Sequence, residues 1–118
     1  MTDETRKSVL NADDEHLRHL THEHLKVFAK FTSVSCAICQ RLAPPFEKFA
    51  HEPGNEQILF VRLDANENAV ARKMMLEKIA PFFVSYCQGR VLECDNLTSE
   101  TEVRAQLERL RAFVPAKA

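Results

Sequence analysis

Glycine is nearly missing from this chain of 118 residues, which has only Gly54 and Gly89. The dinucleotide-binding fingerprint and the P-loop both need closely spaced glycines to bring backbone against phosphate, so nucleotide chemistry is not expected. An excess of charge is missing too. Sixteen Lys and Arg against 17 Asp and Glu leave a formal charge of −1, which gives no field to gather nucleic-acid phosphates or anionic lipid as main partners. Long apolar runs are also absent. The longest, Ile79 to Val84, is far shorter than a bilayer span. The charged start Thr2-Asp3-Glu4-Thr5-Arg6-Lys7 is not followed by the apolar core of a signal peptide. These features together predict a cytoplasmic protein.

What remains is the composition of an ordinary folded domain, 45% hydrophobic and 28% charged. A chain this long buries roughly two thirds of its extended surface and needs no disulfide staples. No repeat, low-complexity tract or linker-like shift in composition divides it, so residues 1–118 are expected to form one domain, with 1–6 as a flexible tail.

The hydrophobic pattern predicts alternating elements. Lys7 to Leu10 suit a short strand. Asp13-Asp14-Glu15 then place acids where a helix start favours them, with Leu17 and Leu20 on its apolar side. Lys26 to Thr32 alternate as a strand, with Val27, Ala29 and Phe31 on one face and Phe28, Lys30 and Thr32 on the other. Beyond Cys36, the residues Leu42, Phe46 and Phe49 recur at helical spacing up to Pro53-Gly54, and Pro44-Pro45 should bend that helix. The unbroken run Ile58 to Val61, ending at Leu63-Asp64, predicts a central strand covered on both faces and reached by a parallel crossover. A helix capped by Asn66 or Asn68 is expected through about Lys78, and Pro81 then precedes a strand from Phe82 to Cys87. Gln88-Gly89 turns that strand into a hairpin with Arg90 to Cys94. A capping box of Ser99 and Glu102 opens a last helix whose apolar stripe is Val103, Leu107, Leu110 and Val114. The order β-α-β-α-β-α-β-β-α implies a mixed sheet with helices on both faces.

Four cysteines are left to interpret: Cys36, Cys39, Cys87 and Cys94. In a reducing compartment a pair of cysteines points to catalysis or metal binding sooner than to structure. Cys36-Ala37-Ile38-Cys39 stands at a helix start, where one turn can close a disulfide and unpaired backbone N–H groups favour thiolate on the first sulfur. Spacing alone is weak support, but the motif follows a buried strand, opens an amphipathic helix and precedes a proline-led hairpin and a final helix.

In this setting the sequence resembles the thioredoxin family, well over Lys26 to Val114 and loosely before it. Phe31, Cys36, Cys39, Ala43-Pro44, Asp64, Pro81 and Gly89 carry the likeness. The resemblance implies an α/β thioredoxin fold, with a central mixed sheet of about five strands flanked by about four helices. It also implies disulfide exchange on protein substrates, a partner reductase, a monomer and no cofactor beyond the Cys36–Cys39 disulfide. Several positions depart from the family pattern. Thr32 and Ser35 stand where tryptophans are usual, Ala37-Ile38 replace Gly-Pro, Lys30 replaces a buried carboxylate, and Phe82 replaces a threonine.

By this resemblance Cys36 is the attacking thiolate and Cys39 the resolving thiol. Pro81 takes the position of the family's cis-proline, Ala80 offers backbone to an extended substrate segment, and Phe82 either lines that groove or packs in the core. Lys30 has two readings, a lysine snorkelling to water or an ammonium that stabilises thiolate and shuttles a proton to Cys39. His16, His19, His22 and His24 read as a solvated surface, since no H-E-x-x-H motif accompanies them. Cys87 is expected opposite Arg90 and Cys94 opposite Phe83, which puts their sulfurs roughly 13 Å apart, too far to bridge. They also lack a second paired spacing for zinc. A protein-binding module without turnover and a zinc protein remain the alternative uses of such a chain.

Overall fold

The computed structural model describes residues 9–33, 36–64 and 81–115. Five strands form one sheet: β1 (Leu10–Asn11), β2 (Lys26–Thr32), β3 (Ile58–Asp64), β4 (Phe82–Cys87) and β5 (Arg90–Asn96). Three helices are described, α1 (Asp14–Glu23), α2 (Ala37–His51) and α3 (Glu100–Ala112). The helix expected between Asn66 and Lys78 lies outside the described residues.

The strands run in the order β1-β3-β2-β4-β5. β1 and β2 pair with β3 in parallel, whereas β2–β4 and β4–β5 are antiparallel. β2 is therefore enclosed on both edges, and six of its seven residues are buried. Its alternation sorts the core as the sequence predicts. Phe28 faces α2 and α3, where it meets Phe46, Phe60 and Phe83 at ring distances of 5.7, 5.8 and 5.8 Å. Val27, Ala29 and Phe31 face α1 and pack with Leu17, Leu20, Val61 and Phe82.

Three details depart from the sequence reading. The first strand begins at Leu10 rather than ending there. It is fastened to β3 at Asn11 and just beyond, where Arg62 Nε donates to Asn11 Oδ1 at 2.8 Å and Ala12 N donates to Arg62 O at 3.0 Å. Pro44 and Pro45 sit inside α2 without interrupting it. The carbonyls they deprive of donors belong to Gln40 and Arg41, which are exposed, so water can serve them. In the hairpin, Gln88 and Gly89 both take positive φ, 55° and 80°, as a tight two-residue turn requires. A bulge follows, because Ser85 pairs with Glu93 but Tyr86 with Val91. The extra residue moves Cys94 opposite Val84 rather than Phe83, onto the α1 face, while Cys87 shares the α2 face with Phe83 and Ser85.

The third departure is at the C-terminal helix, which stops at Ala112 and leaves Val114 81% exposed outside the predicted stripe. Lys26 explains the stop. Its ammonium reaches from the start of β2 to the carbonyls of Arg111 (3.0 Å) and Phe113 (2.8 Å), satisfying acceptors that a helix end leaves open. At the other end the capping box forms, with Ser99 Oγ accepting from Glu102 N and Glu102 Oε1 accepting from Thr98 N. Those backbone donors hold the Glu102 carboxyl below its usual range.

Candidate active site

β2 runs under α2 and ends at Thr32, and the chain re-enters the described structure at Cys36, the N-cap of α2. An N-cap supplies an acceptor to the first turn, and here the acceptor is sulfur: Cys39 N donates to Cys36 Sγ at 3.0 Å. Cys36 and Cys39 are joined in a disulfide with Cα atoms 5.2 Å apart. Their exposures differ in the sense that exchange chemistry requires. Cys36 is half-buried, while Cys39 is 2% exposed.

Lys30 lies directly beneath, and it does not snorkel. Its side chain is 1% exposed, and Nζ donates to the Cys39 carbonyl at 2.8 Å and sits 5.8 Å from the centre of the Phe46 ring. Burial, and secondarily the Arg62 charge, lower its pKa from 10.5 to about 8. Lys30 also borders a pocket of about 120 Å³, lined with it by Val9, Asn11, Ala43, Phe46, Glu47 and Arg62. Sequence reading did not single out Arg62. Its signal was present, since Arg62 interrupts the apolar run of β3 and the parallel register sets it beside Lys30.

Pro81 is buried immediately before β4, its carbonyl accepting from Asn96 Nδ2 at 2.7 Å. The pairing of Phe31 with Phe82 puts Pro81 at the end of the sheet where β2 departs towards Cys36. Phe82 is a core residue. It is fully buried, and its ring stacks on Phe31 at 4.7 Å, so of the two readings the structure supports core packing over a groove wall. Ala80 lies outside the described residues. The four histidines of the α1 region are exposed, and among the described residues no group of three or more His, Cys, Asp or Glu could hold a metal ion. Cys87 and Cys94 form no disulfide, and their opposite faces of the sheet are a stronger bar than distance along the strands.

The fold is also that of known proteins. Similar solved structures include thioredoxin from Malassezia sympodialis, at a TM-score of 0.80 and 20% identity, covering 89% of this chain and 92% of that one. Thioredoxin from Trypanosoma brucei brucei matches at a TM-score of 0.77 and 24% identity, over 89% and 92% of the two chains. A thioredoxin f2 solved in complex with ferredoxin:thioredoxin reductase matches at 0.78 and 16%, over 92% and 99%. No curated protein matches the chain in sequence. These likenesses establish the fold. The family model for thioredoxin matches residues 7–112, nearly the whole length, and the chain belongs to the thioredoxin family.

Proposed function

We propose that the protein is a cytoplasmic, monomeric protein-disulfide reductase that works through the Cys36/Cys39 dithiol. The observation that carries this reading is the disulfide at the start of α2, with one sulfur half-buried and the other covered. Cys36 thiolate attacks a substrate disulfide, forming a mixed disulfide and releasing one substrate thiolate. Cys39 thiolate then attacks Cys36 Sγ, which releases the second substrate thiolate and leaves Cys36–Cys39 oxidised. Two electrons and two protons restore the dithiol, supplied by a partner reductase. The thioredoxin f2 relative bound to such an enzyme supports that partner. A buried Pro81 at the same end of the sheet supports a substrate strand laid against residues 80 and 81.

Lys30 serves as a positioning residue. Its hydrogen bond goes to the Cys39 carbonyl rather than to sulfur, so the geometry favours an electrostatic effect on the thiols over direct proton transfer.

The test is a redox titration in dithiothreitol and glutathione buffers, with thiols read by alkylation and mass. A reversible two-electron couple near about −270 mV is expected for a reductase. Cys36→Ser should abolish disulfide reduction, whereas Cys39→Ser should trap the mixed disulfide. Failure of Cys36 and Cys39 to interconvert with a disulfide in any buffer, or full activity in Cys36→Ser, would overturn the reading.

A further inference from the structure

The pocket beside Lys30 is more than a gap behind the disulfide. Its floor is Phe46 and the buried Lys30, and its rim holds the exposed side chains of Asn11, Glu47 and Arg62. The volume of about 120 Å³ is well above the roughly 10–15 Å³ that one water needs. Two cations meet there on neighbouring strands, at positions paired in the β2–β3 register. Like charges so placed repel, and an ammonium kept from bulk water needs acceptors.

The described protein acceptors leave donors of both cations unspent. An ammonium has three donors, and among the described residues Lys30 Nζ has one hydrogen-bond acceptor, the Cys39 carbonyl. Arg62 spends Nε on Asn11 Oδ1, and neither of its Nη groups has an acceptor among the described residues. Glu47 is the carboxylate that lines the pocket, but it lies on the rim with a 52% exposed side chain and its ion-pair contact is with His51 at 3.8 Å. Among the described residues it pairs with neither cation.

We infer that this pocket binds a small inorganic anion, held between the Lys30 ammonium and the Arg62 guanidinium. A compact anion meets the unspent donors of both groups, screens one cation from the other and fits the space. Chloride and inorganic phosphate share this chemistry and differ in size and charge. At pH 7 the groups that face the site are Lys30, Arg62 and, opposing it, Glu47 with its neighbour His51.

The experiment is a 1H–15N NMR titration of the full, oxidised chain at pH 7 with sodium chloride or sodium phosphate, ionic strength being held constant with sodium gluconate. Saturable shifts at Asn11, Lys30, Ala43, Glu47 and Arg62 are expected with at least one anion, and whichever saturates identifies the size the site accepts. Arg62→Gln, a substitution at an exposed position, should weaken binding roughly tenfold, while Glu47→Gln should tighten it about threefold by removing the opposing charge. Shifts that rise linearly with both anions, or a saturable response unchanged in Arg62→Gln, would overturn the inference. Thiol turnover plays no part in the titration. A chain that binds the anion yet fails the redox titration keeps this site and loses the reductase reading, and the reverse result does the opposite.

Discussion

Lys30 is the residue whose environment says most about the site. An ammonium near the dithiol stabilises thiolate, so Lys30→Met should raise the Cys36 pKa by a few tenths to about one unit. The measurement is the pH dependence of Cys36 alkylation in the reduced protein, and a curve identical to that of the parent would remove Lys30 from the mechanism. The sequence marked Lys30 as the odd member of a core strand, because no apolar pattern calls for lysine there. It did not reveal the direction of the side chain. That depends on α2 lying over β2, which brings the Cys39 carbonyl to 2.8 Å from the ammonium. Phe82 shows the same limit. Its neighbour in sequence is Pro81, but its ring is claimed by Phe31 across the β2–β4 pairing.

Elements were legible where signals are local. The capping box at Ser99, the Gln88-Gly89 turn and the alternation of β2 all depend on residues a few positions apart, and each is present. Gly89 allows a sharp prediction. A Cβ there would meet only the His22 ring, at 3.7 Å, an ordinary contact, so Gly89→Ala should cost about 1 kcal/mol through its φ of +80° alone. Urea denaturation measures this, and a loss of several kcal/mol would indicate a clash instead. The C-terminus of α3 was not legible. Lys26 caps it from 85 and 87 residues away in the chain, a distance at which no sequence pattern operates. Lys26→Met should therefore destabilise the fold by about 1–2 kcal/mol and speed amide exchange in the last turn of α3, leaving the first turn unaffected. Uniform exchange along the helix would contradict the cap. The bulge after Ser85 was missed for a related reason, since it reflects a mismatch between two strands rather than a feature of either one.

At the scale of the molecule, the buried ammonium makes stability depend on pH. With a folded pKa of about 8 against an ordinary 10.5, the unfolded chain binds more protons between those values, so stability should rise with pH across that window. Below about pH 8 Lys30 is charged in both states and its burial is a constant cost. Tyr86 acts in the opposite sense, but only above pH 10, because burial first, then Cys94 and Asp14, push its hydroxyl up to about 12. Urea midpoints compared between pH 7 and pH 9.5 should show the rise, and Lys30→Met should abolish it. The variant should also be more stable at pH 7 by about 1–2 kcal/mol, discounted for the pocket on its open side. A flat profile in the parent chain would mean that the ammonium is not desolvated. By itself the sequence determined the order of the described elements, the two faces of β2, the hairpin turn, the cap at Ser99, and the cysteine pair at a helix start. Each of these is written in residues a few positions apart, where backbone geometry and hydrophobic period act directly. Only the tertiary structure decided that Lys30 bonds the Cys39 backbone, that Arg62 stands beside it over an open pocket, that Cys94 turns to the α1 face and that Lys26 ends the last helix. Those outcomes depend on strand register and on which helix covers which strand, and they are set when distant segments compete for the same core volume and the same hydrogen-bond acceptors.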